Sequence, residues 1–495
     1  MKLAMSRKNL WDKLPRPLKR MAGGMLGIVP PRYLLGRRFQ ENLLFARQAQ
    51  WWPAEQAREY QLSRVRAICT LAYEKTAFYR RFFDGAGVDP RGLKSLEDLR
   101  PLPTTSKDTL RQSLQEMCAR PVDGGDVDYV STGGTSGVPL SFYIGRQRSA
   151  FEYAYLIASW ERAGYRLGMP MAVLRGRLVQ PDSRGLYHEF DPLLRHHYYS
   201  SFHMSEENLA RYLAHIATIG PCYLHVYPSA VARLAHHIRR SGARSPANIL
   251  GIVAESEIVY TSQRQMVQQT FGCPYFSSYG HTEKLVLAAE CEQSADYHVW
   301  PTYGHCELLD EQGQSVTTPG GRGEIVATGF INTVVPFIRY RTGDYATYVA
   351  DSCAACGRQQ MILRRIRGHR TQEVLVAADG SSISWVGVNM HDDTFDRVRQ
   401  FQFYQDRPGQ AVLRVVPAEG FDDSDCRKML RNLGVKLAGR VRFTVEVVGA
   451  IALSSRGKAI YVDQRIPGTM LSASGDLGED EVEEVSRPTD RVPDR

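Results

Sequence analysis

The stretch Val130-Ser131-Thr132-Gly133-Gly134-Thr135-Ser136-Gly137-Val138-Pro139-Leu140 crowds glycines and small hydroxyls into one loop. Glycine lets a backbone approach an anion closely, and hydroxyls donate to its oxygens, so the ligand it suits is a phosphate chain. It is not a Walker A loop, because no Gly-Lys-Ser/Thr follows at the required spacing. A plain surface loop has the same composition. The reading gains weight only from what lies downstream.

Four further segments follow in order. Tyr275-Phe276-Ser277-Ser278-Tyr279-Gly280-His281-Thr282-Glu283 packs an aromatic ring, a glycine, hydroxyls and a carboxylate together. A ring of that kind can stack on a base, and a carboxylate can hold Mg²⁺ with its phosphates. In Pro336-Phe337-Ile338-Arg339-Tyr340-Arg341-Thr342-Gly343-Asp344, an acid after a tight turn can accept both hydroxyls of a ribose. Arg365-Ile366-Arg367-Gly368-His369-Arg370 stands where the character of the chain changes. Leu453-Ser454-Ser455-Arg456-Gly457-Lys458 places a lysine on a glycine turn, able to swing into a cleft and stabilise developing negative charge. Each segment alone is commoner as a surface feature. Five in one order make coincidence a poor explanation.

A metal has candidate ligands too. Cys291 and His298, followed by Cys353-Ala354-Ala355-Cys356, have acceptable zinc spacing. Buried free thiols account for the same residues, since free cysteine behaves as a small core side chain. His196-His197 and His236-His237 are given no role.

These residues need a scaffold. Residues 54–118 read as mainly helical, with Leu62, Val65, Ile68, Leu71 and Ala72 at helical spacing. From 130 to 350, apolar runs at Met171–Leu174, Tyr223–Val226, Ile249–Val253 and Ile325–Ala327 alternate with helical stretches at Glu207–Thr218 and Ala230–Arg240. That alternation predicts α/β layers with a largely parallel sheet. After about residue 367 a hairpin (Gln400–Gln405, Ala411–Val416), a helix (Ser424–Asn432) and a strand (Val441–Val448) predict a separate small α+β domain.

Together the segments resemble the adenylate-forming superfamily, the acyl-CoA synthetases and their relatives. The chain is most similar to the phenylacetate–CoA ligase branch, with its CapK-like members linked to capsular polysaccharide biosynthesis. Ser131–Gly137 matches the phosphate loop, Tyr279–Glu283 the Tyr-Gly-x-Thr-Glu motif, Tyr340–Asp344 the Tyr-Arg-Thr-Gly-Asp motif, and Gly457-Lys458 the late Gly-Lys. Phe78–Val88, Leu96–Leu99 and Leu102-Pro103 also resemble this branch. The resemblance implies a large N-terminal α/β domain of layered sheets and helices with a small mobile α+β C-terminal domain. The domain reading is a basic N-terminal extension (1–55), an AMP-binding adenylation domain (56–366), a lid (367–468) and a disordered acidic tail (469–495).

The resemblance also implies a reaction. A carboxylate attacks the α-phosphate of ATP, giving an acyl-adenylate and pyrophosphate. A thiol, usually coenzyme A, then displaces AMP. Ser131, Thr132, Gly133, Gly134, Thr135, Ser136 and Gly137 would hold the triphosphate, with Thr135 and Glu283 placing Mg²⁺. Tyr279, flanked by Ser278, Gly280 and Thr282, would stack on adenine beside Glu255-Ser256-Glu257. Asp344 would bind the ribose, and Lys458 would bridge carboxylate and α-phosphate. Relatives in this branch carry similar Cys/His positions, so Cys291, His298, Cys353 and Cys356 would hold a structural zinc near Asp344. Two departures stand out. Leu140 replaces a usual Lys or Thr. The usual Gly-Arg-x-Asp-Asp becomes Gly368-His369-Arg370-Thr371-Gln372-Glu373, where Arg370 matches the expected arginine after a one-residue shift.

The substrate is then a small carboxylic acid, and Tyr223, Tyr227 and Tyr275 suit an aryl or apolar one. The acceptor is CoA, or in a second reading a sugar, amine or carrier of surface-polysaccharide assembly. A third reading is a catalytically weak nucleotide-binding scaffold. The 495 residues carry net charge +9, yet no zinc finger, RNA-reading aromatic signature or long basic helix points to nucleic acid. Lys2, Arg7, Lys8, Lys13, Lys19 and Arg20, interleaved with Leu10, Trp11 and Leu14, suit a peripheral membrane contact. A solvated amphipathic element packed on the body explains them as well and is preferred. Nine cysteines without a disulfide pattern, no membrane-length apolar run and no cleavable signal predict a cytoplasmic protein.

Overall fold

The computed structural model describes residues 35–132, 140–177, 179–367, 374–384, 388, 390, 393–451 and 462–466. Its centre is a 12-stranded sheet ordered β11-β12-β13-β14-β10-β9-β8-β7-β6-β3-β5-β4. The strands are β3 (Met171–Leu174), β4 (His188–Asp191), β5 (His196–Tyr199), β6 (Cys222–Val226), β7 (Ile249–Glu255), β8 (Tyr275–Gly280), β9 (Leu287–Ala289), β10 (Tyr297–Val299), β11 (Gly304–Leu309), β12 (Arg322–Gly329), β13 (Tyr340–Ala350) and β14 (Ile362–Arg367). Every residue of β3 and β6 is buried, which is why these strands read as unbroken apolar runs rather than alternating ones. Helices α6 (Glu206–Ile216) and α7 (Pro228–Ser241) cover one face; α6 buries Leu209, Tyr212, Leu213 and Ile216 at i, i+3, i+4 and i+7.

Within this large sheet, among the described residues, β5-β3-β6-β7-β8 run parallel. The other pairings of this sheet are antiparallel, so the expectation of a largely parallel sheet is corrected to a half-parallel one. β9 and β10 have three residues each, and short turns suffice to reverse the chain between them.

Helix α1 (Arg37–Ala49) lies within the stretch read as an extension. It buries Phe39, Leu43, Ala46 and Ala49 and shares a core with α5 (Arg148–Glu161). Helices α2 (Ala54–Lys75), α3 (Ala77–Ala86) and α4 (Lys107–Ser113) confirm a helical region before the sheet. Arg339, 4% exposed, ties the segment after α3 to the start of β13. It pairs with Glu307 at 3.0 Å and donates to the carbonyls of Leu99 (3.3 Å), Arg100 (2.9 Å) and Leu102. The hairpin β1 (Val127–Ser131) and β2 (Ser141–Gly145) flanks residues 133–139.

The small C-terminal body is a four-stranded sheet, β19-β18-β17-β20, of β17 (Val398–Arg407), β18 (Gln410–Pro417), β19 (Arg442–Val447) and β20 (Val462–Gln464), with helix α8 (Asp423–Lys436) beside β19. β15 (Val374–Val376) and β16 (Ser382–Ser384) form a separate ribbon. The β17–β18 turn needs glycine at 409, whose φ is +75° and whose Cβ would lie 2.7 Å from Ala378. Gln405 is its buried hub: its carbonyl oxygen accepts from Val376 N (2.7 Å) and Gln464 (2.9 Å), and its amide donates to the carbonyls of Val376, Arg407 and Gln410. Phe202 of the large body enters this core, and Ser141 donates to Asp396 at 2.9 Å, so the two bodies touch. All nine cysteines are free, and among the described residues no helix is long and apolar enough to cross a membrane.

Candidate functional site

At the carboxyl ends of parallel strands, backbone groups and side chains project past the sheet, and ligands of open α/β sheets bind there. Here those ends are polar. Glu255, last residue of β7, is 6% exposed. It accepts from Trp160 Nε1 (2.8 Å), Ser278 Oγ (2.7 Å) and Arg175 (2.9 Å), and His225 Nε2 lies 3.1 Å away. Burial alone would raise the Glu255 carboxyl; His225 and Arg175 outweigh it and hold it far below the usual carboxylate range. Burial, reinforced by the Arg175 charge, holds His225 low despite Glu255. Arg175 also donates to Ser256 Oγ at 2.6 Å, and Ser256 sits at φ +72°. Glu257 points elsewhere and caps α7 through Ser229 N (2.8 Å) and Oγ (3.0 Å).

β8 leaves the parallel half and turns into β9 through the Tyr279–Glu283 motif. Tyr279 donates its hydroxyl to Asp344 Oδ2 at 2.8 Å, joining two segments 65 residues apart. Burial, then the Asp344 charge, pushes the phenol well up, so it stays a donor. Asp344 is presented by a bulge in β13: Gly343 has φ +78°, its N–H reaches Glu324 (3.0 Å), and Thr342 Oγ1 accepts from Asp344 N (3.0 Å). Glu283, 6% exposed, lies 3.2 Å from both Tyr340 Oη and His281 Nδ1. Burial would raise its carboxyl; the His281 hydrogen bond and charge, with Lys107, bring it down to about 2. A buried carboxylate held ionised this way suits a divalent cation. Two buried polar atoms here, His281 Nε2 and Arg175 Nε, lack a partner among the described residues, as a site built for a further polar ligand would leave them.

The glycine loop is closed at its base, where Thr132 N donates to Leu140 O (2.8 Å) and Leu140 N to Thr132 Oγ1 (3.3 Å). Ser131 and Thr132 are buried, and Phe142 of β2 packs at 5.1 Å on Phe337, three residues before Tyr340. Gly133, Gly134, Thr135, Ser136, Gly137, Arg370 and Lys458 lie outside the described residues. Of the tyrosines read as pocket walls, Tyr223 spends its hydroxyl on Ala163 O (3.1 Å), and Tyr275 is buried under Arg264. Both are core. Tyr227 lies at a strand end, 5.5 Å from the Arg175 guanidinium. Sequence reasoning missed Arg175, His225 and Trp160, and named Tyr340 only as the first residue of its motif, without a role of its own. The available signal was a charge directly after the apolar run Met171–Leu174 and a histidine inside the run at 222–226.

The cysteine reading becomes a four-donor cluster. One ligand atom each from Cys291, His298, Cys353 and Cys356 lies within 4.8 Å of the others. His298 Nε2 is 3.4 Å from Cys356 Sγ, while its Nδ1 faces Asp296 O at 3.0 Å, the supporting contact that orients an imidazole ligand. Cys291 hydrogen bonding holds Cys356 low as a thiolate, helped by His298 and Arg358 and opposed by burial, while the same bond pushes the Cys291 thiol up. Three sulfurs and a nitrogen at this separation fit a tetrahedral zinc ion, for which Zn–S is about 2.3 Å.

The CapK C-terminal domain family matches residues 375–465. Phenylacetate-coenzyme A ligase of Thermus thermophilus is 29% identical over 337 residues, 66% of this chain and 72% of the relative. Protein CapK of Staphylococcus aureus is 21% identical over 413 residues, 82% and 89%. An open conformation of 2-hydroxyisobutyryl-CoA ligase, crystallised with 2-HIB-AMP and CoA, superposes with a TM-score of 0.54 at 21% identity over 84% of this chain and 93% of that one. The small domain's match, the spans shared with these relatives and the common architecture agree with the motif order: the chain is similar to the phenylacetate–coenzyme A ligases and to CapK over most of its length, and its fold is that of the 2-hydroxyisobutyryl-CoA ligase.

Proposed function

We propose that the protein activates a small carboxylic acid with ATP, forming an acyl-adenylate and pyrophosphate, and then passes the acyl group to coenzyme A with release of AMP. The observation that carries this is the Tyr279–Asp344 hydrogen bond beside the buried Glu283 carboxylate. It brings Tyr279, Asp344 and Glu283 into one place, which supports reading them as the base-stacking ring, the ribose acceptor and an anionic metal ligand. Tyr279 stacks on adenine, Asp344 takes the ribose hydroxyls, and Ser131 and Thr132 begin the loop that wraps the phosphates. Glu283 and Thr135 hold Mg²⁺, which when bound neutralises charge on the reacting phosphates. Lys458 and Arg370 come from the lid domain, read as 367–468, and Lys458 bridges the attacking carboxylate and the α-phosphate. No residue acts as a covalent nucleophile; the work is positioning and electrostatics. The acid meets the polar strand ends around Arg175, His225 and Ser278, a lining that favours a hydrogen-bonding acid over a purely apolar one. Cys291, His298, Cys353 and Cys356 hold a structural zinc, tested by thiolate-to-metal absorption on loading with Co²⁺.

ATP–pyrophosphate exchange over a panel of acids tests the first step, and CoA-dependent AMP release the second. Exchange with at least one acid is expected, lost in Lys458→Ala while ATP binding persists. A protein that binds ATP yet exchanges with none of the acids would refute the reading and favour a scaffold. Exchange without CoA-dependent turnover would move the acceptor to a sugar, amine or carrier, the second reading kept open by the CapK relative.

A further inference from the structure

Far from that site, at the β4 edge of the large sheet, three histidines converge. His188 and His197 come from the antiparallel hairpin β4–β5, and His215 from the last turn of α6. One ring nitrogen from each lies within 4.8 Å of the others. His188 Nε2 and His197 Nδ1 are 3.0 Å apart, and the His188 ring centroid is 4.3 Å from that of His215. Two imidazoles that meet nitrogen to nitrogen need one as acceptor, so at least one is neutral with a lone pair turned inward. His215 has its Nδ1 2.6 Å from the Tyr199 hydroxyl. That contact fixes the ring and leaves Nε2 as the nitrogen free to bind, the arrangement a supporting group gives a metal-bound imidazole. Phe190 packs on His197 at 4.6 Å, lining one side with apolar surface. All three histidines are half-buried, which leaves a path for an ion.

We propose that His188, His197 and His215 form a second metal site, taking a divalent cation of the zinc type with three imidazoles and an open fourth position. A tetrahedral ion with Zn–N of about 2.0–2.1 Å needs nitrogens roughly 3.3 Å apart, a few tenths of an ångström wider than the observed His188–His197 pair. A small rotation of either ring supplies that. Imidazole favours borderline cations over the hard ions Mg²⁺ and Ca²⁺, which a site without oxygen ligands does not suit. The ion would clip the edge hairpin to α6. Four strands separate β4 from β8, so this site is independent of the nucleotide cleft and of the cysteine cluster.

The experiment loads untagged, metal-stripped full-length protein with Zn²⁺ or Co²⁺ and counts equivalents by calorimetry and visible spectra. The expected result is one equivalent that adds no thiolate-to-cobalt absorption, whatever the cysteine cluster does. It should persist in Cys291→Ser/Cys356→Ser. In His188→Ala, and separately in His215→Gln, its Kd should rise by more than the roughly 10–100-fold that loss of a supporting contact costs. Tyr199→Phe should weaken it within that range. The proposal is overturned if wild type takes no thiolate-free equivalent. It is also overturned if both histidine variants, folded by circular dichroism, still bind that equivalent with unchanged Kd.

Discussion

Arg175→Ala should be the most informative single change near the cleft. The guanidinium is 2.9 Å from Glu255 Oε2, with the two side chains 23% and 7% exposed. At an effective dielectric constant of about 20, that separation gives roughly 6 kcal/mol of gross attraction. Desolvating each ion costs several kcal/mol, so the intact pair nets little. Removing only the cation is different, because Glu255 stays buried without its guanidinium partner, and such losses run to about 3–5 kcal/mol. Trp160, Ser278 and His225 still face the carboxylate, which puts the expected cost near the lower end. His225 supplies a signature. Freed of Arg175 and facing an unpaired carboxylate, its pKa in the variant rises, so the variant recovers stability as pH falls through that raised value and loses it as pH rises. Chemical denaturation of wild type, Arg175→Ala, Glu255→Gln and the double variant measures the coupling, which should exceed about 1.5 kcal/mol because the double variant removes both charges. Pyrophosphate exchange should show a raised KM for the acid. A loss under about 1 kcal/mol, or additive single effects, would refute the claim that Arg175 holds the Glu255 charge in place.

Two further outcomes follow from buried groups elsewhere. His203 stacks on Tyr187 at 3.9 Å, lies 2.7 Å from Ser200 Oγ, and is brought down from 6.5 to about 4 by burial first and the Arg440 charge second. Its depressed value favours the neutral ring in the fold, so its stabilisation is complete above pH 6.5 and shrinks as pH falls toward 4. By pH 5 the loss is at most about 2 kcal/mol, and nearer 1 after allowing for its partial exposure. His203→Gln should flatten that part of the stability–pH curve, and an unchanged slope would exclude the role. Arg339→Ala should cost about 3–5 kcal/mol by stranding Glu307. Amide exchange should then accelerate at Thr105, whose N–H donates to Arg339 O at 2.9 Å. Protected exchange there would show the segment is held by other contacts.

The sequence exposed the parts whose signal is local. Met171–Leu174 is a strand with the expected bounds, and the helices at 206–216 and 228–241 match their apolar stripes. The Cys/His spacing named the four residues that converge. What stayed hidden depends on long-range pairing. β4, His-Glu-Phe-Asp, has no buried residue in its pattern, so hydrophobic periodicity could not announce it. β9 and β10 are too short to mark a direction. The Tyr223 and Tyr275 rings went the other way: their type suited a pocket wall, but a strand buried on both faces turns them into core.

The half-parallel sheet bears directly on where the site stands. The parallel strands β3, β6 and β7 all end on one side, and their terminal positions supply Arg175, Tyr227 and Ser256. The antiparallel strand β13 supplies Tyr340 and Asp344. Between these two sets the sheet changes direction at β8–β9, and the turn there is the Tyr279–Glu283 motif. Tyr279 reaches toward the antiparallel side through Asp344, while the preceding residue, Ser278, reaches the parallel side through Glu255. Ligands of open α/β sheets bind outside the carboxyl ends of parallel strands, and the change of direction at β8–β9 sets those ends beside the antiparallel part of the sheet. That is why adjacent residues of one motif, Ser278 and Tyr279, reach the parallel and the antiparallel parts of the sheet. It also explains why a sheet that stayed parallel past β8, as the apolar runs alone suggested, would have left Asp344 with no ring to hold.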